Sequence, residues 1–410
     1  MKITLSRRRG ARLLVPFAAA VCALVGVVAP YLPASASPWP AVARLTVQLT
    51  INHDALQQAT PDAAASSGAG DAAVRPAISV PCSPGANEYD RIQLCTKSAL
   101  TFTFINGTTP VGSTVAVLYQ YSDLSATRTS WTEYDTVTSV TSKGTTEPIT
   151  ISLVGTCGPC ATSGDLFGRL ANGLRGTEAY SMSLAKGHEA SGTVKYSLAY
   201  SAPKYLPLTF GSSSSPLSLR CDNDVATTGE GCVYPRATPT LVLSIGQAGA
   251  SAALFQWAQD HMKAHWGLYG KGSPLTRASG ATGNDNRDLV CDGTFHRQGT
   301  VIVNGGKNDV DSCDEFPLAS TNQSGAGTLK KEKKTGATCV QLQSVRTAKT
   351  GTEARQWGNV KVIGTPNYGA PCVRGHVPNR LNGSTGGSYN TFIRYQRLFV
   401  NESFWVAVKS

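Results

Sequence analysis

The sequence predicts a two-domain fold: an N-terminal all-β, sandwich-like domain, then a compact α+β domain with one main helix on a small antiparallel sheet. Three observations predict it. Between about residues 82 and 205, short runs alternate apolar and polar side chains, the period-two pattern of half-buried strands. After residue 240, one segment repeats its apolar residues at three- and four-residue steps, as a helix face does. Stretches rich in Ser, Gly and Pro separate these regions.

The chain has 410 residues, 41% of them apolar, enough for two or three domains with a core each. Lys2, Arg7, Arg8, Arg9 and Arg12 precede an apolar run from Leu13 to Val28, and Ala34-Ser35-Ala36 has the small-x-small pattern of a cleavage site. Residues 1–36 are therefore expected to be a secretory signal peptide, which makes the mature protein secreted and extracellular. The apolar run is short of the ~20 residues a spanning helix needs, and no later segment is expected to cross a membrane. Residues 37–81, with Ala63-Ala64-Ala65-Ser66-Ser67-Gly68-Ala69-Gly70 at their centre, read as a disordered linker. Residues 82–205 form the β-domain, carried by Leu100–Phe104, Val115–Tyr119, Ile149–Leu153 and Val194–Leu198. Residues 206–240 read as a connector with Ser212-Ser213-Ser214-Ser215-Pro216 at its boundary. Residues 241–410 follow as the α+β domain, with a helix through Leu254, Trp257, Ala258, His261 and His265 that Gly267 ends. Its strands are expected at Thr300–Val303, Val360–Ile363 and Phe404–Val408.

Removal of the first 36 residues takes Cys22 away and leaves ten of the eleven cysteines, an even number that reads as disulfides in an exported chain. Cys82 with Cys95, and Cys221 with Cys232, are close enough in sequence to pair. Cys291, Cys313, Cys339 and Cys372 form two more bridges whose pairing stays open. Cys157-Gly158-Pro159-Cys160 has the four residues of a thioredoxin redox motif. Its neighbours read as antiparallel strands rather than a strand-to-helix unit, so a structural bridge or tight loop is expected.

Charge is uneven. Residues 241–410 hold 19 basic and 11 acidic residues, a balance of +8, whereas residues 37–240 are at −2. A polyanion partner belongs on the C-terminal part if anywhere. Lys330, Lys331, Lys333 and Lys334, with Arg346, Lys349, Arg355, Lys361, Arg374 and Arg380, supply candidate phosphate contacts that bind without reading base sequence.

Inside this basic region lies Cys313-Asp314-Glu315-Phe316-Pro317-Leu318-Ala319-Ser320-Thr321. On a regular strand, Asp314 and Glu315 point to opposite faces, while at a turn before Pro317 both can approach one hard cation. The stretch resembles the hallmark of the NucA/NucB family of secreted bacterial deoxyribonucleases, Cys-Asp-Glu-Tyr-Pro-Phe-Ala-Ser-Thr. The resemblance extends over roughly residues 236–410, through Gln259-Asp260-His261-Met262, Leu275-Thr276-Arg277, Asn286-Arg287 with Cys291, and the spacing of Asn382, Gly386, Gly387, Phe392, Arg397 and Phe404. Two places depart from the family pattern. Asn322-Gln323-Ser324-Gly325 stands where an acidic residue and a Gly pair are common, and Val400-Asn401-Glu402 replaces a closing Asp-Gly-Asp.

The resemblance implies a metal-dependent endonuclease that hydrolyses DNA with little sequence preference, using Mg²⁺ or Mn²⁺. It implies Asp314 as a metal ligand, Glu315 as a second ligand or the group orienting the attacking water, Asn382 as a carbonyl ligand or phosphate contact, and His261 as general base. It adds Arg277, Arg287 and Arg397 to the candidate DNA contacts. His261 and His265 also make a His-x-x-x-His pair, but the Glu of the zinc-protease motif is missing. The rival class is an extracellular binding protein, in which the β-domain attaches to cell wall, polysaccharide or a protein ligand and the basic domain holds DNA without turnover. Either way a monomer is expected.

Overall fold

The computed structural model describes residues 44–51, 56–58, 87–205, 208–224, 229–299, 301–302, 308–347 and 350–409. The expected signal peptide, most of the expected linker and Cys82 lie outside the described residues. Two pieces of that linker are strands, β1 (Arg44–Ile51) and β2 (Leu56–Gln58). β1 pairs antiparallel with Ser98–Ile105, so this part of the expected linker belongs to the sheet.

The strands that follow are β3 (Asn87–Tyr89), β4 (Gln93–Asn106), β5 (Thr109–Asp123), β6 (Ser130–Gly144), β7 (Thr150–Thr156), β8 (Ala161–Arg169), β9 (Arg175–Ser181), β10 (His188–Gly192), β11 (Lys195–Ser201), β12 (Leu208–Ser214), β13 (Leu219–Asn223) and β14 (Glu230–Val233). Eleven strands make one sheet in the order β12-β11-β7-β8-β9-β6-β5-β4-β3-β2, with β1 also on β4. This corrects the expected two-sheet sandwich. Alternation shows that one face of a strand is buried, not what covers it. Here β4, β5 and β6 run for 14, 15 and 15 residues, and strands of that length twist enough for one sheet to curl over its own inner face. The curl returns β1 to the neighbourhood of β12. Leu100, Phe102, Phe104, Leu118, Ile151, Leu153, Leu166 and Leu198 fill the inside. Cys157 and Cys160 are joined in the turn between β7 and β8, with no helix following, as expected of a structural bridge. Cys221 and Cys232 face each other across β13 and β14 and are also joined.

The second core is built from β15 (Thr240–Ser244), α1 (Ile245–Ala248), α2 (Ala250–His261), β16 (Leu275–Thr276), α3 (Gly280–Val290), β17 (Val301–Ile302), β18 (Asn308–Asp309), β19 (Asp311–Phe316), α4 (Ala326–Glu332), β20 (Val340–Val345), α5 (Glu353–Gln356), β21 (Asn359–Ile363), β22 (Val373–Pro378), α6 (Asn379–Tyr395) and β23 (Ser403–Lys409). Its sheets are β19-β22-β20-β21 and β15-β23-β16. Both are mixed rather than purely antiparallel, because β20 runs parallel to β22 and β15 parallel to β23. α2 is the central helix: Ala252, Leu254, Phe255 and Ala258 are buried against both sheets and α6. It stops at His261, short of the expected end at Gly267. The Met262 N–H still bonds Ala258 O, but the Lys263 N–H turns to Tyr368 O.

α6 is the longest helix among the described residues and runs through Asn379–Tyr395, a segment too rich in Gly, Ser and Asn to predict a helix. Leu381, Thr385, Tyr389, Phe392 and Ile393 form its buried stripe, so packing outweighs propensity. Cys291 pairs with Cys313 and Cys339 with Cys372, which resolves the pairing the sequence leaves open. The chain is thus mostly β with few helices, and Ala41–Ser410 forms one compact unit around both cores. No helix among the described residues is long and apolar enough to cross a membrane.

Candidate functional site

β19 is the edge strand of its sheet, and this resolves the conflict over Asp314 and Glu315. Neighbours on a strand face opposite ways, but a cleft running along the free edge can be reached from both faces. That cleft, of about 290 Å³, is lined by both carboxylates with Arg287 from α3, Ser320 from the following turn, and Asn382, Gly386 and Tyr389 from α6. The outer edge of β19 is closed by side chains rather than by another strand. Asn382 Nδ2 donates to Cys313 O at 2.9 Å and to Ser312 Oγ at 3.2 Å. Asp314 Oδ1 accepts from the Glu315 N–H at 3.0 Å.

Asp314 is 4% exposed and Glu315 5%. Ser251, in the first turn of α2, donates its hydroxyl to Asp314 Oδ2. Burial, then the neighbouring Glu315 carboxylate, push Asp314 up to about 7, against the Ser251 hydrogen bond that favours the charged form. Burial raises Glu315 as well, while Arg287, 3.6 Å away, and the Ala319 N–H work in the opposite direction. The Cys291–Cys313 bridge fastens the end of α3 to β19 beside these acids. Its sulfurs lie close to Glu315 but are spent in the disulfide, so no thiolate is available there.

A second cleft of about 360 Å³ shares Arg287, Ser320, Tyr389 and Asn390 with the first, so the two form one groove. Arg277, Ser279 and Arg394 line its far part. The structure therefore brings together Asp314, Glu315, Asn382, Arg287 and Arg277 of the residues singled out in the sequence.

Others it does not bring together. His261 lies ten residues along α2 from Ser251, roughly 15 Å at the helical rise, and is exposed. Its Nδ1 meets Trp257 O at 2.8 Å and its ring stacks on Trp257. It does not line the acidic cleft. His265 has left the helix, with φ +43° and Nδ1 2.6 Å from Gln259 O, so the two histidines do not share a helix face. Arg397, expected on DNA, is 0% exposed and bound to Asp222. Arg374 is buried and donates to Asp292, Val290 O and Thr294. Lys330, Lys331, Lys333 and Lys334 are exposed at the end of α4 but line neither part of the groove.

The sequence reading misses Ser251, Arg394, Tyr389 and Asn390. A lone Ser in an Ala-rich first turn and a helical spacing from Leu381 to Tyr389 are the signals that could have found two of them. Comparison of the chain with protein-family models, with curated proteins and with solved structures found no match.

Proposed function

We propose that the chain is an exported, metal-dependent endonuclease that hydrolyses DNA phosphodiester bonds with little sequence preference, its β19–α6 region serving as the nuclease domain. The observation that carries this reading is the groove itself: two buried, adjacent carboxylates at one end continue into a wall of arginines at the other. Buried acids beside cations in a cleft fit the handling of a phosphate between a metal and guanidinium groups. The resemblance around Cys313–Thr321 supports the same class, and the four disulfides among the described residues favour an oxidising compartment.

The donor set fits a hard divalent cation such as Mg²⁺ or Mn²⁺. Asp314 and Glu315 supply carboxylate oxygens, and Asn382, with its amide nitrogen spent on Cys313 O and Ser312, has its carbonyl oxygen to offer. A cation there, when bound, neutralises charge on the scissile phosphate. Ser251 fixes the Asp314 carboxylate. Glu315, held by the Ala319 N–H and by Arg287, is the group placed to take a proton from water. Arg287 faces the same cleft and holds a phosphate oxygen, while Arg277 and Arg394 hold the flanking phosphates and set the polarity of the strand without reading bases.

The test is cleavage of circular plasmid DNA by the purified, oxidised protein with Mg²⁺ or Mn²⁺ and with EDTA, beside Asp314→Asn. Nicking that needs the ion and is lost in a variant of unchanged melting temperature supports the reading. DNA that is retarded but uncut under every ion favours the binding-protein class instead.

A further inference from the structure

We infer that the interior of the large curled sheet holds one calcium ion, bound by Glu133, Asp135 and Glu178. Glu133 and Asp135 are two apart on β6, on the inward face that also carries Trp131 and Val137. Glu178 on β9 stands directly opposite Glu133. One carboxylate oxygen from each lies within 4.8 Å of the others. All three residues are at most 2% exposed. Like charges placed directly across a ladder are destabilising, and no Lys, Arg or His among the described residues forms an ion pair with any of them.

The hydrogen-bond accounting points to a ligand. Glu133 accepts from Tyr196 at 2.9 Å and from Gln120 at 3.3 Å, and Glu178 accepts from Tyr180 and from the Gly155 N–H at 2.8 Å. Asp135 has neither oxygen satisfied, although it is 1% exposed. Gln120, its cross-strand neighbour, is the one hydrogen-bonding side chain that favours its charged form, and that amide also donates to Glu133. A native interior leaves such a group unmatched only for a reason.

The surroundings are shaped for something small. On one side of the cluster a small cavity of about 10 Å³, the size of one water or ion, is lined by Gln120, Glu133 and Tyr196, though not by Asp135 or Glu178. On the other side, a Cβ at Gly155 would collide with the Tyr180 hydroxyl and the Glu178 carboxylate, so the backbone there is bare where the acids gather. Burial raises all three carboxyls above their ordinary range, joined at Glu133 by repulsion from Asp135 and Glu178 and at Asp135 by repulsion from Glu178. Three carboxylates and no nitrogen or sulfur donor suit a hard cation. Calcium, which accepts irregular all-oxygen cages, suits such a site better than magnesium, which demands near-ideal octahedral geometry.

The experiment uses the full mature protein stripped of metal at neutral pH, in an Asp314→Asn background so that the β19 cleft does not contribute. Terbium stands in for calcium, sensitised by Trp131 and Tyr180, whose rings stack at 5.1 Å beside the acids. The expected result is saturable terbium emission displaced by Ca²⁺, one calcium per chain by elemental analysis, and a melting temperature that rises with Ca²⁺. Asp135→Asn and Glu178→Gln, which remove a buried charge without changing shape, should each weaken calcium binding about tenfold or more. The inference is overturned if the parent binds no calcium and shows no calcium-dependent melting, or if both variants bind it as tightly as the parent. Neither outcome bears on the nuclease reading, which is tested at Asp314.

Discussion

Arg397 and Asp222 face each other with both side chains fully buried: Arg397 Nε donates to Asp222 Oδ2 at 2.8 Å, and the second guanidinium arm closes on Asp222 Oδ1. Arg397 follows α6 and Asp222 sits on β13, so the pair fastens the core around α2 to the three-stranded β10-β13-β14 sheet. The guanidinium also donates to Ala126 O at 2.9 Å and Gly229 O at 2.7 Å. Removing one partner of such a pair strands a charge and costs about 3–5 kcal/mol, whereas replacing both can be nearly neutral. Arg397→Met is therefore expected to lower unfolding stability by that amount in denaturant titration, and Arg397→Met with Asp222→Leu to recover part of it. A loss within about 0.5 kcal/mol, the range of an exposed side chain, would return Arg397 to the surface role its charge first suggests.

Glu402 ties the same junction and gives it a pH dependence. It accepts from Arg91 and Arg220, while Arg91 also donates to Pro235 O and Ala237 O at 3.0 Å each. Burial alone would raise the Glu402 carboxyl, but the two guanidinium groups outweigh it and hold the group below its ordinary value of 4.5. A depressed carboxyl contributes stability above its unfolded-chain pKa and loses it as pH falls through the folded value. The wild-type protein should therefore melt higher than Glu402→Gln at neutral pH, with the gap closing below about pH 4. A gap that stays constant from pH 7 to about pH 3 would show that the carboxylate charge is not what holds the junction.

How much of this was legible depends on which force sets each element. The strands around Leu100–Phe104 and Ile149–Leu153 announce themselves because a half-buried strand must alternate, whatever covers it. That the cover is the same sheet curling round was not legible, since no residue encodes it locally. α6 was hidden because its helical order comes from Leu381, Tyr389 and Phe392 packing on strands far away in sequence. The acid pair at Asp314-Glu315 was legible as a motif, but its chemistry depends on β19 being an edge strand, a property of topology. Charge misled at Arg397 and Arg374, because a guanidinium reads the same on a surface as in a buried junction. Trp131-x-Glu133-x-Asp135-x-Val137 carried a signal that was passed over: acids on the apolar beat of a strand point inward.

Gly386 offers the sharpest separation of folding from function in the groove. It lies within α6 and lines the acidic cleft, and a Cβ added there meets nothing within 4 Å. Alanine should therefore stabilise the helix by up to about 1 kcal/mol, as Gly in a helix interior is the weaker residue. The same methyl projects into space through which a phosphate backbone must pass to reach Asp314. Gly383 is the control, because it is equally open and in the same helix but does not line the cleft. Both Gly386→Ala and Gly383→Ala should raise the melting temperature, while only Gly386→Ala should weaken plasmid nicking, chiefly through a higher KM. Equal nicking by the two variants would move the path of the DNA away from α6 and leave Arg277 and Arg394 without a strand to hold.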